Sequence, residues 1–463
     1  MVRLLAFAVV TMALAAFGAL AASEEKPALP PLPSAPDSAD MGKGIQRTMT
    51  LLATSTPAHR NTVNVLYYGQ SITNQEWTDQ VSRWLREKYP NADLHFTKLS
   101  LGGFASQRLV RTTDYDVLPL YPDLMIFHVY GSHIDYESIL RITRQRTTAE
   151  IAISNDHVTV LPVPPGDWSE KMSFDLIPGF ARKYGCYLMD IRTPWREYLE
   201  KNGFQPKQFL SDDVHLNDNG KWLLASLIEQ RLVYRPDLPA DDWKNMVRTY
   251  TVGKDLNWQD GKLTLEFTGN RVDALSAWTG QGQAGAADVL IDGKKPSEFP
   301  VLYYHARPSG TPKLGWPAIM RTSSEKPMAV ETRTLTAHDF NDAADQFKFE
   351  LSGSVTGPDG SGSGSEKFVS NSGRVVIEPG DWVFAFDRQV SKKPMPAQVT
   401  VTWQTKPLFV DTYTPEKVVD PSLDYPTSLA RLLTNEKHTL QLVSQSGQPL
   451  PVAAIRIYEA PVK

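Results

Sequence analysis

The sequence of 463 residues contains a single cysteine, Cys186. No intrachain disulfide can form, so stability must come from packed cores. Cys186 lies in the apolar stretch Gly185-Cys186-Tyr187-Leu188-Met189, where a buried, unreactive thiol is expected rather than a nucleophile. An excess of basic charge is also lacking. Lys and Arg number 48 against 52 Asp and Glu, a net charge of -4. That leaves no basic field for gripping a phosphate backbone and excludes nucleic-acid binding as a main activity.

One extended apolar run stands at the N-terminus. Arg3 precedes residues 4–20, and the run closes on Ala19-Leu20-Ala21. A basic start, an apolar centre and small residues at the end form the pattern of an export signal over 1–21. A retained membrane anchor is the alternative, although the run is at the short end for a span. No Cys follows it, so a lipid-modified Cys anchor is excluded. The mature chain is expected outside the cytoplasm, secreted or periplasmic, with no stable membrane insertion once the signal is cleaved.

Apolar residues make up 41% and charged residues 22%, a globular balance. The length exceeds one ordinary core and suggests two or three domains. Residues 22–60, Pro-rich and then polar, read as a tether or loosely packed arm. From 61 to 235 strands and helices alternate. Strands are expected at 63–68, 93–101, 124–129, within 151–162 and at 186–190. Helices are expected at 77–89, 136–150, 171–184 and 219–231, with Trp77, Val81, Trp84 and Leu85 on one face of the first. Alternation of this kind argues for a parallel sheet covered on both faces, with active groups at the carboxyl ends of its strands.

Residues 236–463 change style. Leu263, Leu265 and Phe267 alternate with polar residues, and Val289-Leu290-Ile291 before Asp292-Gly293 carries a hairpin signal. Further strands are expected at 374–377, 382–386, 399–403, 438–443 and 454–458. Helical patterning is scarce, which points to an antiparallel β-sandwich. The Gly/Ser-rich stretch 357–365 reads as a loop.

Two segments carry chemistry. Tyr68-Gly69-Gln70-Ser71-Ile72-Thr73 follows the first apolar strand and precedes a helix. A Ser at such a strand end, near a helix N-terminus, suits a nucleophile that must carry developing negative charge. A helix-capping Ser is the plainer alternative. Ser211-Asp212-Asp213-Val214-His215-Leu216-Asn217 places an Asp and a His three apart before the last helix of the region. The carboxylate can fix the imidazole tautomer and leave the other nitrogen free to take a proton from a hydroxyl. A polar loop with a capping Asp remains open for this segment taken alone.

Taken together these segments resemble the SGNH (GDSL-like) hydrolase family over residues 63–232. Gly69-Gln70-Ser71-Ile72 is similar to its first block, in the Gly-Gln-Ser form found in acetylxylan and sialate O-acetylesterases. Leu101-Gly102-Gly103-Phe104-Ala105-Ser106 is similar to the second block, and Pro122-Asp123-Leu124 through Tyr130-Gly131-Ser132-His133 to the third. Asp212-x-x-His215, with Leu216-Asn217 and Gly220 after it, resembles the last. The resemblance implies a flavodoxin-like three-layer α/β/α domain with a parallel sheet. It implies Ser71 as nucleophile, His215 as base and Asp212 as the carboxylate, with Asp213 fitting the spacing less well. The N–H groups of Ser71 and Gly103 (or Gly102) would bind the oxyanion. Where the family has an Asn donor this chain has His133, whose neutral N–H can donate one hydrogen bond or merely line the cleft. Neither cofactor nor metal is implied.

Asp156-His157 after the fourth strand is a candidate border of the cleft. His128 and His133 lie near Asp123 and Asp135 in sequence without a metal-ligand spacing. The second region loosely resembles jelly-roll modules attached to carbohydrate esterases. Its aromatics Trp258, Trp278, Tyr303, Tyr304, Trp316, Trp382 and Trp403 are candidates for sugar stacking or, more simply, for core positions. The expected activity is removal of O-acetyl groups from a polysaccharide. The alternatives are hydrolysis of longer acyl esters, or carbohydrate binding on a weakly active or inactive scaffold.

Overall fold

Strand β1 (Thr62–Gly69) has Val63 and the run from Val65 to Gly69 buried, so both of its faces are covered. A strand apolar on both sides belongs inside a parallel sheet, and the computed structural model places it there. The model describes residues 29–35, 38–240 and 243–463. The expected signal segment 1–21 lies outside them. Residues 29–33 carry no regular secondary structure, and residues 34–463 form one compact unit.

Within that unit, α1 (Gln46–Thr54), α2 (Trp77–Lys88), β2 (Asp93–Ser100), α3 (Ser106–Asp116), β3 (Leu124–His128), α4 (His133–Arg146) and β4 (Glu150–Ser154) build most of the first layer system. It is completed by α5 (Trp168–Lys171), α6 (Ile177–Tyr184), β5 (Tyr187–Met189), α7 (Arg192–Lys201) and α8 (Asp218–Glu229). The strand order is β2-β1-β3-β4-β5, all parallel, which is the flavodoxin-like order. Register aligns Gly69 with Ser100 on one side and His128 on the other. The chain therefore leaves β1, β2 and β3 at one edge, at the point where the strand order reverses, and that is where such sheets form their crevice.

Several expectations change here. Residues 38–60 are not a loose arm. α1 packs with Gln46, Arg47, Thr48, Met49 and Leu52 buried. Its first-turn N–H groups, those of Arg47 and Thr48, donate to the Glu150 carboxylate at 2.8 and 2.7 Å. Arg47 also reaches Asp123 at 2.7 Å. The cap of this helix comes from a residue about a hundred positions away, so no local signal announces it. Trp84 is half-exposed rather than part of the buried face of α2, and Lys88 Nζ lies 4.4 Å from its ring centre.

The C-terminal region is antiparallel and sandwich-like. One sheet runs β17-β8-β18-β7-β19-β6, built from β6 (Val247–Thr251), β7 (Lys262–Ser276), β8 (Ala287–Ile291), β17 (Thr412–Tyr413), β18 (Pro426–Ser444) and β19 (Val452–Tyr458). The other runs β10-β16-β11-β12-β13, from β10 (Ser309–Thr311), β11 (Thr332–His338), β12 (Lys348–Gly353), β13 (Gly357–Ser363) and β16 (Gln398–Pro407), with β9 (Tyr303–His305) pairing β16, and β14 (Phe368–Val369) and β15 (Val376–Ile377) form a separate two-stranded pair. Each sheet covers its own apolar cluster, one around Phe267, Ile291 and Leu440, the other around Phe349, Phe384 and Trp403.

Two further readings are corrected. The Gly/Ser stretch 357–365 is largely strand β13, paired with β12. Its glycines admit neighbouring rings: a Cβ on Gly362 would stand 2.8 Å from Phe349. The run 382–386 is not a strand, because helix α9 (Phe384–Ser391) begins inside it. Val383 packs into the α/β core and Phe384 into the sheet cluster, so apolar residues are needed on more than one side and no period shows. The hairpin signal after Ile291 is met by a two-residue turn, in which Ile291 and Lys294 exchange backbone hydrogen bonds at 2.8 and 2.9 Å across Asp292 (φ +52) and Gly293 (φ +77), while β8 itself pairs with β17 and β18.

Candidate active site

Gly69 ends β1 against the carbonyl of His128, where a Cβ would lie 2.1 Å from that oxygen. The chain can pass there only as glycine, and it turns at once. Ser71 opens a short 3-10 turn (Ser71–Asn74), capped by the Gln70 side chain, which accepts from the Ile72 N–H at 2.9 Å. α2 begins at Trp77, where the spacing predicts it, so the turn next to Ser71 is this short one.

The segment before α8 is equally constrained. Asp212 Oδ1 accepts from the backbone N–H groups of Val214 and His215 at 2.8 and 2.7 Å, closing a small Asx-type turn. Its other oxygen lies 2.7 Å from His215 Nδ1. Those bonds hold the Asp212 carboxyl at about 2, below the usual carboxylate range, the backbone donors contributing most. A carboxylate facing Nδ1 places the ring proton there and leaves Nε2 as an acceptor. Nε2 lies 2.8 Å from Ser71 Oγ. Ser71, His215 and Asp212 thus form one hydrogen-bonded line, and the bond to the ring comes from Asp212 rather than Asp213.

Partners from elsewhere in the sheet support both ends of this line. Gln75 clamps the His215 loop to the Ser71 turn, donating to the Leu216 carbonyl at 2.8 Å and accepting from its N–H at 3.1 Å. His157 Nε2 donates to the Val214 carbonyl at 3.0 Å. Burial pushes the His157 imidazole down to about 4, so it is neutral. Gln70 Oε1 lies 2.8 Å from Ser71 Oγ, and Gln70 Nε2 lies 3.2 Å from His128 Nδ1. His128 Nε2 meets Asp156 Oδ1 at 2.6 Å. Burial raises the Asp156 carboxyl, but the His128 hydrogen bond and the nearby positive groups outweigh it and bring it below its ordinary value. The Ser71 hydroxyl has two acceptors in reach, His215 Nε2 and Gln70 Oε1.

Asp156 and His157, candidates for the cleft border, therefore reach the two halves of the site through His128 and Val214. His128 pairs with Asp156 and not with Asp123, which is taken by Arg47. Gly103 has φ +72, and a Cβ on Gly102 would lie 3.8 Å from Ser71 Cβ, so the Gly102-Gly103 loop adjoins the nucleophile. His133 opens α4 with its ring centre 5.9 Å from that of Trp168. Among the described residues it enters no hydrogen bond with the Ser71 line. Burial pushes the Cys186 thiol up to about 12, which keeps it protonated near neutral pH.

Sequence reasoning missed Gln75, Gln70's link to His128, and Trp316, whose Nε1 donates to the Gly102 carbonyl at 2.5 Å. Gln75 and Trp316 sit in no motif and meet the site only through tertiary packing, while Gln70 belongs to the Gly-Gln-Ser block but its contact with His128 crosses to β3. Of the other aromatics considered for sugar stacking, Trp403 is buried, and Trp258 and Trp382 pack on the two sheet clusters.

No family model matches the chain, and no curated protein sequence matches it. Among solved structures it is similar to a two-domain esterase active on acetylated mannans, at 13% identity, covering 91% of this chain and 97% of that one with a TM-score of 0.35. It is also similar to an acetylxylan esterase from Geobacillus stearothermophilus, at 15% identity, covering 39% of this chain and 98% of that one with a TM-score of 0.34. A third similar structure is an α/β hydrolase enzyme from the metagenome of Lake Arreo, Spain, at 18% identity, covering 39% and 100% with a TM-score of 0.33.

Proposed function

We propose that this chain is an exported serine ester hydrolase that removes O-acetyl groups from a polysaccharide. The observation that carries the reading is the Ser71–His215–Asp212 line at the carboxyl edge of the sheet. Ser71 Oγ attacks the ester carbonyl carbon while His215 Nε2 takes its proton. Asp212 holds the ring in the required tautomer and stabilises the imidazolium. The backbone N–H groups of Ser71 and Gly103 hold the tetrahedral oxyanion, with His133 as a third donor. Collapse breaks the bond between the acyl carbon and the sugar oxygen, which leaves as a hydroxyl by taking from His215 the proton that came from Ser71. Water then attacks the acyl-enzyme by the same route and releases acetate. Export rests on the N-terminal pattern of residues 1–21.

Acetate release from a panel of acetylated glycans tests this reading. It predicts Ser71-dependent release from at least one of them. A series of aryl esters from acetyl to decanoyl is expected to fall with chain length, and a decanoyl preference would replace this reading with that of a longer-acyl hydrolase. A second reading, a weakly active or non-catalytic carbohydrate-binding protein, is favoured by His133, which stands in place of an Asn donor and packs beside Trp168. Glycan binding with no ester turnover would select it.

A further inference from the structure

The loop between β2 and α3 is a tight turn. Phe104 N–H donates to the Leu101 carbonyl at 3.0 Å, which makes Gly102 and Gly103 its central residues. Gly103 at φ +72 is the mark of a type II turn, in which the third residue must be left-handed. Type I and type II turns differ mainly by a flip of the central peptide plane. Here that plane carries the Gly102 carbonyl on one side and the Gly103 N–H on the other, because the peptide is planar and trans.

The carbonyl is held from outside the α/β layers. Trp316, which lies between β10 and β11, donates its indole N–H to Gly102 O at 2.5 Å. The Trp316 ring is itself fixed, 4.9 Å from Phe386 in an edge-to-face contact. Phe386 packs against Phe104 at 5.5 Å, and Arg108 lies 4.2 Å from its ring centre. A Cβ on Gly103 would stand 3.4 Å from Phe386. Around this contact the C-terminal region is bolted to α3. Arg111 pairs with buried Asp381 at 2.6 Å, Arg307 pairs with buried Asp116 at 2.6 Å, and Met320 and Val383 enter the α/β core.

We propose that Trp316 is a positioning residue for ester hydrolysis. By holding the Gly102 carbonyl it keeps the central peptide in the type II orientation, with the Gly103 N–H on the opposite side as the oxyanion donor. Accepting that bond also polarises the amide and strengthens its N–H as a donor. The C-terminal region is then part of the catalytic unit rather than an appended sugar-binding module. This inference rests on the reading of Ser71 as nucleophile and Gly103 as oxyanion donor.

Trp316→Phe in the full chain keeps an aromatic ring and removes the indole N–H. Replacement of Trp316 by β-(3-benzothienyl)-alanine keeps the shape and removes only that donor. Both are compared with the parent on 4-nitrophenyl acetate, which has no sugar, and on an acetylated oligosaccharide. Since loss of one oxyanion donor costs about 100- to 1,000-fold, and a freed peptide still samples the productive orientation, kcat should fall roughly 10- to 100-fold on both substrates. KM should stay within about twofold, and the Gly103 amide resonance should shift. Parent kcat on the aryl ester in the benzothienyl variant would overturn the inference while leaving the esterase reading intact, as would a rise in KM confined to the oligosaccharide. A parent chain without Ser71-dependent turnover of either ester would overturn both.

Discussion

His157 donates from Nε2 to the carbonyl of Val214, the residue immediately before His215, at 3.0 Å. The ring is buried and stands 5.2 Å from Trp195, so the bond is geometrically fixed. It braces the loop that carries the proposed base without touching the reacting atoms. His157→Phe is therefore expected to lower kcat about tenfold with KM nearly unchanged, because misplacing a catalytic group is felt mainly in the chemical step. Steady-state kinetics on an aryl acetate check this, and an unchanged kcat would remove His157 from the positioning set.

Gln75 links the two short segments that form the line. Its amide satisfies both the N–H and the carbonyl of Leu216. Leu216 is buried, so Gln75→Leu strands two backbone groups that water cannot easily reach. The expected cost is about 1–3 kcal/mol in chemical denaturation, together with about a tenfold fall in kcat. A variant as stable and as active as the parent would show that the clamp is dispensable.

Two buried imidazoles set an acid limit on stability. Burial pushes both His157 and His305 down to about 4. His305 accepts from the Thr322 N–H at Nε2 and faces the Ala306 carbonyl with Nδ1, so the fold requires its neutral form. Between about pH 6.5 and pH 4 the unfolded chain binds protons that the folded rings do not. Stability that is full above pH 6.5 is therefore lost as pH falls, by about 3 kcal/mol per ring once pH 4 is reached. Denaturation at pH 7.5 and pH 5.0 checks the sign. In His305→Gln, which keeps one donor and one acceptor, the drop between the two pH values should shrink by about 2 kcal/mol. An unchanged drop would contradict the assignment.

The parallel sheet was legible because β1, β3 and β4 are apolar on both faces and are separated by helical stretches. The segments around Ser71 and His215 were legible because their roles need particular residue types within a few positions of each other. They meet because register sets the turn after Gly69 at the sheet edge, and Gln75 and His157 hold the His215 loop there. What stayed hidden depends on partners distant in sequence. α1 is capped by Glu150. α9 hides in a run that buries residues on two sides. β13 hides in a glycine-rich stretch, where the rings of Phe349 and Phe368 crowd Gly362 and that of Phe347 crowds Gly364 just beyond the strand. His157 is read from the sequence as a cleft-border candidate and Trp316 as an aromatic one, but their partners, like those of Gln75, are backbone groups, which leave no mark on the sequence.

The most direct test of the account is active-site labelling of the full chain with a fluorophosphonate, read by intact mass and peptide mapping. The account predicts one adduct, on Ser71, absent in Ser71→Ala and formed about a thousandfold more slowly or worse in His215→Ala. An adduct on another residue, or His215→Ala labelling at the parent rate, would contradict it.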